Sequence, residues 1–374
     1  MNIKGFLRNN VEWVISILLV LVFLFSVSYF RPLGAQIDDA TGFIVTITEA
    51  AAGIFAITTS VTFVALQLSS QTYTPRLIQF YITRWYFLAM ILLYPITLLY
   101  SVVILRCADD SCPQSLDLLL VLFFFDVVLL VPYTVLFFRE LDPAHSKVLK
   151  YLCGEISLRK IAGKMRKERI VLQTEEEYEM TNLFEPINEV VVAAITRYDF
   201  ETTRKCVWEI GSLYTDIVSN MNSPQKWPTF KSLPRGESIS LYFEENAFDK
   251  YVAYALKEMS EDVLIEIAKT LEQMLRGALN GNQRVQSTDD ADYRNALDLE
   301  VVNLVDLLGN LVKVAIQHNF ESAMKRGILA LQRAHLVSEP YELRAVGEAN
   351  RMLKEVKQTA SEGGFADIAE LINS

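Results

Sequence analysis

Long runs of hydrophobic residues fill the first third of the chain, whereas hydrophobic positions in the rest recur at helical spacing among polar ones. A helix of about 20 apolar residues crosses the hydrocarbon core of a bilayer. The first run is followed by Arg31 and Pro32 rather than by the small residues of a signal-peptide cleavage site, so we expect it to be retained. The pattern predicts four membrane spans, at residues 13–30, 43–68, 85–105 and 116–138.

The charged residues support this division and predict an orientation. Of the 374 residues, the first 138 hold 14 charged side chains and the other 236 hold 66. This composition excludes an ordinary soluble enzyme, a disulfide-rich secreted domain and a disordered chain. Basic residues flank the spans on one side, at Lys4, Arg8, Arg76, Arg84 and Arg139, which predicts that both termini are cytoplasmic.

Span two carries a stripe of small and polar residues along one helical face. Such a stripe is disfavoured against lipid, so it faces either other helices or water. It is a packing seam inside the bundle, or it lines a pore on the axis of an oligomer, where Glu49 would favour cations and Phe63 would form the constriction. The stripe consists of Thr46, Glu49, Gly53, Ala56, Ser60, Gln67 and Gln71, with one apolar position at 63 or 64. The candidate pore-lining residues on it are Glu49, Gly53, Ala56, Ser60, Phe63 and Gln67. The opposite positions are Phe43, Ile47, Ile54, Val61 and Leu68.

A second acid, Asp126, lies near the middle of span four, and the sequence places no basic residue at membrane depth. We expect its carboxyl group to be protonated, to be hydrogen-bonded to a hydroxyl such as that of Thr97 or Tyr133, or to contact a wet cavity. Arg76 and Arg84 mark the cytoplasmic headgroup level, and in a channel they would lie at the inner mouth.

The segment that leaves span two, from Phe63 to Leu77, reads FVALQLSSQTYTPRL. A hydroxyl-rich span that runs into this Ser-Gln and Pro-Arg-Leu turn, with the apolar run 91–105 after it, resembles a prokaryotic family of predicted membrane proteins known as domain of unknown function 2254. The resemblance covers about residues 45–105. It implies a multi-pass protein of the prokaryotic plasma (inner) membrane, and it implies no activity.

The cysteines and histidines form no recognisable catalytic or metal-binding pattern. Cys107 and Cys112 lie in the outer loop between spans three and four, where they either form a small disulfide or remain free thiols. Cys153 and Cys206 are expected to be reduced and structural. Zinc-ligand spacing, a phosphate-binding glycine loop and a nucleophile motif are all absent from the sequence. We therefore predict no enzymatic activity, no catalytic residue, no metal and no cofactor.

A basic collar follows span four and precedes an acidic body. Residues 139–173 hold nine basic and four acidic side chains, whereas residues 174–374 have a net charge of −13. The collar is expected to bind anionic lipid headgroups or to line a vestibule, the alternative being a solvated helix. An acidic body argues against nucleic-acid binding. The collar residues singled out are Arg159, Lys160, Lys164, Arg166 and Lys167.

Three stretches of the acidic body, residues 193–211, 255–275 and 314–331, resemble one another. Each predicts a helix, a short polar turn and a second helix. The first and third align without gaps at an offset of 120, which matches Phe200 with Phe320. Either the hairpins stack as an α-solenoid or HEAT-like array, or they are generic amphipathic pairs. Loops are predicted at residues 222–236 and 277–293.

The sequence predicts an all-α protein in which a four-helix transmembrane domain (1–138) precedes the basic segment (139–173) and an acidic cytosolic helical domain (174–374). The expected function is a homo-oligomeric ion channel that is lined by span two and regulated by the cytosolic domain. The alternative is a non-conducting scaffold or sensor whose cytosolic helices bind a protein. Expected partners are membrane lipids, other copies of the chain and a cytosolic protein.

Overall fold

A computed structural model describes residues 40–107, 113–156, 160–163, 183–218, 238–283, 291–338 and 344–372. All secondary-structure elements among these residues are helices, which confirms the predicted all-α class. The chain divides into a first unit, Met1–His145, and a second unit, Ser146–Ser374. Predicted span one, the loop 222–236 and residues 157–159 and 164–173 of the basic collar lie outside the described residues.

The first unit contains three apolar helices that are long enough to cross a membrane, within the part of the chain that the structure describes. They coincide with predicted spans two, three and four, and a short helix lies between the first two. The helices are α1 (Ala40–Thr72), α2 (Arg76–Ile82), α3 (Trp85–Cys107) and α4 (Pro113–Glu140). Pro95 and Pro132 lie inside α3 and α4, as membrane helices tolerate.

Helix α1 packs against α3 and α4, which also pack against each other. One apolar cluster joins the three helices through Ile44 and Ile47 of α1, Ile104 of α3, and Leu116 and Leu119 of α4. The large aliphatic side chains on the outside of the bundle are exposed, as lipid-facing residues are expected to be. Examples are Leu92, Leu99, Val131 and Val135.

Four fully buried tyrosines connect the helices of this bundle through their hydroxyl groups. Tyr81 donates to the main-chain carbonyl of Glu140 at 2.7 Å, and Tyr86 donates to the Glu140 carboxylate at 2.7 Å. Tyr94 donates to the main-chain carbonyl of Asp126 at 3.0 Å. The fourth, Tyr133, joins α4 to α1. These bonds satisfy polar groups that would otherwise be stranded in an apolar interior.

The second unit consists of helices of 5 to 27 residues, and several consecutive helices pack against each other. It begins with α5 (Ser146–Leu152) and a single 3-10 turn (Cys153–Glu155). The next helices are α6 (Glu185–Thr196), α7 (Phe200–Val218), α8 (Ile239–Phe243), a π-helical turn (Glu244–Phe248), α9 (Asp249–Lys257) and α10 (Glu261–Gln283). The last are α11 (Ala291–Gln317), α12 (Glu321–Ser338), α13 (Arg344–Glu362) and α14 (Ala366–Leu371).

Three hairpins of this unit share one turn geometry. Tyr198, Met259 and Asn319 end α6, α9 and α11 with a positive φ of 59°, 50° and 59°, at spacings of 61 and 60 residues. In each turn the next residue donates its N–H to the carbonyl five positions earlier, as in a Schellman motif. These bonds join Asp199 to Ala194 (2.9 Å), Ser260 to Ala255 (2.8 Å) and Phe320 to Ala315 (2.9 Å).

The three hairpins coincide with the three stretches that resemble one another in sequence, so the predicted helix–turn–helix units are confirmed. The predicted offset of 120 between the first and third stretch is wrong by one residue. The positive-φ residues Tyr198 and Asn319 are 121 positions apart, so Phe200 corresponds to Glu321 rather than to Phe320. The positions of the two turns, rather than matching residue types, therefore determine which residues of the two hairpins correspond.

The predicted loop at 277–293 is also wrong in part, because α10 continues to Gln283 and α11 begins at Ala291. Gly277 is helical and lies where two helices approach closely, since a Cβ atom there would be 2.7 Å from Cγ2 of Thr215 on α7. Ala278 and Leu279 are buried in the same contact region. The glycine is a packing residue rather than a sign of a loop.

The second helices of the hairpins, α7, α10 and α12, contact one another in succession. Glu272 of α10 reinforces this layer, because its buried carboxylate accepts hydrogen bonds from Arg276, Arg326 and Arg333. Burial alone would raise the pKa of Glu272, but the hydrogen bonds from Arg333 and Arg276 outweigh it, and the pKa lies below its ordinary value. Glu261 further links the second and third hairpins by accepting the N–H of Ser322 and Ala323.

We predict that Met259→Gly stabilises the protein by about 1 kcal/mol, because a side chain with a Cβ atom is strained at positive φ and the methionine is exposed. Thermal unfolding of the full-length protein in detergent, followed by circular dichroism, measures the effect. Met259→Ala is the matched control and should give no such gain. Equal stability of the Gly and Ala variants would contradict the prediction.

Candidate functional site

The polar stripe of α1 lies on the exposed side of the helix. Glu49, Gly53, Ala56, Ser60, Phe63 and Gln67 are all exposed, and the side chain of Phe63 is 55% accessible. At about 100° per residue they lie opposite the face that packs on α3 and α4. That buried face consists of Ile44, Ile47, Ala51, Thr62 and Leu66. The seam between α1 and its described neighbours is therefore not formed by the stripe.

Two of the positions assigned to the opposite face, Val61 and Leu68, are exposed as well. Together with Ile57 they form an aliphatic flank beside the stripe. The outward surface of α1 thus has one side that suits lipid and one side that does not. Among the predicted opposite positions, Ile47 is the one that is buried, while Phe43 and Ile54 are half-buried.

The stripe has little side-chain bulk between Glu49 and Phe63. Gly53, Ala56 and Ser60 follow one another at helical spacing, and the space beside the Gly53 Cα is open. Small residues at such spacing allow another helix to approach closely. Small and hydroxyl-bearing residues also leave room for water. The stripe is suited either to contact with another copy or to a hydrated path.

The rotation of α1 about its axis is held by contacts on its buried face. The Tyr133 hydroxyl donates to Oγ1 of Thr62 at 2.6 Å, and Thr62 in turn donates to the carbonyl of Thr58 at 2.7 Å. Phe55 stacks on Tyr94 with the ring centroids 5.5 Å apart. These contacts turn the opposite face, which carries the stripe, away from α3 and α4.

Asp126 lies in the interior of the bundle with no exposed surface. Neither of its carboxyl oxygens makes a hydrogen bond within the described part of the chain. The expected bond from Tyr133 does not form, because that hydroxyl is engaged with Thr62. The Thr97 hydroxyl lies beside Asp126 but donates to the carbonyl of Leu93 at 3.2 Å. A buried carboxyl group without a partner is costly, and the cost is smallest in the neutral form.

The two arginines expected at the inner mouth differ in their surroundings. Arg84 belongs to the bundle, since its Nε is 3.2 Å from Oε2 of the buried Glu140 and its guanidinium lies 3.8 Å from the centroid of the Phe80 ring. Arg76 is exposed. The side chain of Thr74 accepts the N–H of Arg76 at 3.3 Å just before α2 begins. Arg84 therefore anchors helices, and Arg76 is the exposed basic residue of the pair.

The remaining predicted residues divide between described and undescribed parts of the chain. Lys160 is exposed. Cys153 and Cys206 are buried and form no disulfide among the described residues, and burial raises the pKa of Cys153 to about 12, which keeps it unreactive at neutral pH. The structure does not describe the side chain of Cys107. The other predicted residues lie outside the described ranges; these are Cys112, Arg159, Lys164, Arg166 and Lys167.

Metal chemistry has no visible site in the described ranges, where no group of three or more His, Cys, Asp or Glu side chains is placed to hold an ion. Comparison with known proteins adds no assignment. No family model and no curated protein matches the chain. A solved structure, a circular tandem repeat protein with novel repeat topology and enhanced subunit contact surfaces, aligns at 12% identity over 99% of this chain and 84% of that chain.

The TM-score of that alignment is 0.24, so it supports no conclusion about fold or function. The resemblance of residues 45–105 to domain of unknown function 2254 stays a prediction. The assignment of a function therefore depends on the chemistry of the stripe on α1 and on the surface of the second unit.

We predict that Asp126→Leu raises the stability of the protein by about 1–3 kcal/mol, because it removes a buried carboxyl group that makes no hydrogen bond among the described residues. Thermal unfolding in detergent measures the change. Val127→Leu, at the neighbouring exposed position, is the control and should leave the melting temperature unchanged. A lower melting temperature for Asp126→Leu would mean that the carboxyl group has a stabilising partner.

Proposed function

We propose that the protein is a homo-oligomeric membrane channel for cations whose path is lined by the exposed stripe of α1. The observation that carries this proposal is the outward position of Glu49 and the small residues after it, opposite the face that packs on α3 and α4. An ionisable side chain that faces hydrocarbon costs several kcal/mol. This cost is avoided if copies of the chain surround a water-filled axis, because the polar stripe then contacts water instead of lipid.

In a ring of subunits each stripe position repeats around the axis. Glu49 would form a ring of carboxylates that concentrates cations, and Gly53, Ala56 and Ser60 would line a wide stretch below it. Phe63 would form an apolar constriction that closes the path by dewetting, with Gln67 beyond it. The aliphatic flank with Ile57, Val61 and Leu68 would face lipid.

The proposal includes the fuller arrangement expected from the sequence. Span one would complete a four-span domain in a prokaryotic inner membrane, with both termini in the cytoplasm. The three described apolar helices support membrane insertion. The second unit would then be cytoplasmic and would regulate conduction, and the basic collar would contact anionic lipid headgroups.

A non-conducting scaffold or sensor is the second candidate. It is favoured by an apolar groove of about 360 Å³ in the second unit, between α9 and α11, which is lined by Val252, Leu256, Leu311 and Val314. In a monomeric scaffold, however, the stripe of α1 would have to be enclosed within the protomer, and its exposure in the first unit argues against that. Conduction by reconstituted protein separates the two candidates directly.

The channel proposal predicts a difference in accessibility between neighbouring positions of α1. In a background whose four native cysteines are replaced by alanine, Ser60→Cys and Gln67→Cys should react with a charged, membrane-impermeant thiol reagent, and the current in planar bilayers should fall. Val61→Cys and Leu68→Cys are the matched controls on the lipid-facing flank and should react slowly. Equal reactivity of the two sets, or no current from the unmodified protein, would refute the lining.

Glu49→Gln should reduce the cation-to-anion permeability ratio by about tenfold, because it removes the carboxylates that concentrate cations at the outer part of the path. Reversal potentials under a salt gradient measure this ratio. Glu49→Asp keeps the charge and should retain the selectivity. An unchanged ratio in Glu49→Gln would exclude Glu49 from the conducting path.

A further inference from the structure

A groove of about 360 Å³ runs along the second unit between α9 and α11, above α10. Its walls are aliphatic, with Val252 and Leu256 on α9 and Leu311 and Val314 on α11, while Ile267 and Leu271 of α10 lie beneath. The wall residues recur three or four positions apart on each helix. Walls of this spacing form a channel into which the side-chain ridge of another helix fits.

The groove interrupts one layer of the unit. The second helices α7, α10 and α12 pack side by side, the first helices α6 and α9 contact each other, and α11 contacts α13. The groove lies in the interval between α9 and α11. At this interval Ala253 and Asn310 are exposed, and Val252, Leu256 and Val314 are half-buried. One more amphipathic helix would cover these aliphatic side chains and continue the layer.

Carboxylates line the same groove. Glu244, from the π-helical turn, and Asp249, from the first turn of α9, both contribute to its wall. Burial and the neighbouring Asp249, Asp306 and Glu245 raise the pKa of Glu244 to about 7. Arg351 lies 3.1 Å from Asp306, but no ion pair within the described residues reaches Glu244 or Asp249. Burial also raises the pKa of Asp249, so Glu244 is about half protonated near pH 7 and neither carboxyl group forms an ion pair among the described residues. The groove therefore combines an apolar wall with two carboxyl groups that a bound cation would hold in the charged form.

We propose that this groove binds an amphipathic helix of a partner protein, which places a ridge of leucine-like side chains between α9 and α11 and a lysine or arginine beside Glu244 and Asp249. The aliphatic walls provide the hydrophobic contact of helix-in-groove recognition. A lysine or arginine beside Glu244 and Asp249 favours the charged form of both carboxyl groups and pairs with it, whereas an acidic side chain would be repelled, so the groove selects a basic ligand over an acidic one. This interaction is separate from conduction, because the groove lies wholly within the second unit and needs no residue of α1.

The test uses full-length protein in a neutral detergent and a fluorescein-labelled 18-residue peptide. The peptide has leucine at positions i, i+3, i+4 and i+7 of each repeat and lysine elsewhere, and a matched peptide has glutamate in place of lysine. Fluorescence anisotropy reports binding after subtraction of the signal from detergent alone. We expect the basic peptide to bind at least about tenfold more tightly than the acidic one, as an additional charge pair of about 1.4 kcal/mol would give.

Variants at exposed groove positions locate the binding site. Ala253→Trp and Asn310→Trp each fill the groove, and each should weaken the basic peptide by about tenfold or more. The double variant Glu244→Gln with Asp249→Asn should weaken it by about fivefold or more. The control double variant Asp262→Asn with Glu266→Gln, which removes acids of α10 outside the groove, should bind like the wild type.

Melting temperatures confirm that each variant is folded, and the two tryptophan variants provide independent probes if one of them unfolds. The proposal is overturned if the basic peptide binds the groove-filled and wild-type proteins equally, or if the acidic peptide binds as tightly as the basic one. These results do not depend on whether the protein conducts. A failure here therefore leaves the channel proposal to its own test.

Discussion

The contacts on the buried face of α1, among them the hydrogen bond between Tyr133 and Thr62, hold the face of α1 that the bundle covers. A hydroxyl group in an apolar interior needs a partner, and Tyr133 has Thr62 as its partner because Thr62 faces inward beside Ile44, Ile47 and Leu66. With Thr62 inside, the helical period turns Glu49 and Ser60 outward. The orientation of the candidate site is thus a consequence of a contact on the opposite side of the helix, and the functional proposal depends on it.

Spans two to four and the three hairpins of the second unit could be predicted from the sequence, because both depend on local patterns of hydrophobicity and turn residues. The outward position of the stripe could not. Hydroxyl residues occur on several sides of α1, including Thr58, Ser60 and Thr62. Contacts with residues far along the chain decide between them, such as the bond to Tyr133, 71 residues after Thr62, and the stacking of Phe55 on Tyr94. The burial of Glu140 could not be predicted either. In the sequence it is an ordinary acidic residue at the end of a span, and its partners Tyr86 and Arg84 lie more than 50 residues before it.

Errors in the sequence interpretation have similar physical causes. Gly277 stands in a polar stretch and suggested a loop, whereas it permits close packing of α10 on Thr215. The register of the hairpins was set by matching Phe200 with Phe320, although backbone geometry at Tyr198 and Asn319 shifts it by one residue. In both cases the residue type alone was uninformative. The close approach of two helices decided the first case, and the backbone φ angle at the turns decided the second.

The repeated turn of the second unit has a consequence for how such a chain can change in length. Each hairpin contacts mainly its neighbours and begins its second helix with the same backbone geometry. A hairpin can be duplicated or lost without altering the internal packing of the others, as in repeat proteins generally. Length differences among relatives of this protein are then expected to come in steps of about 60 residues, the spacing of the turns.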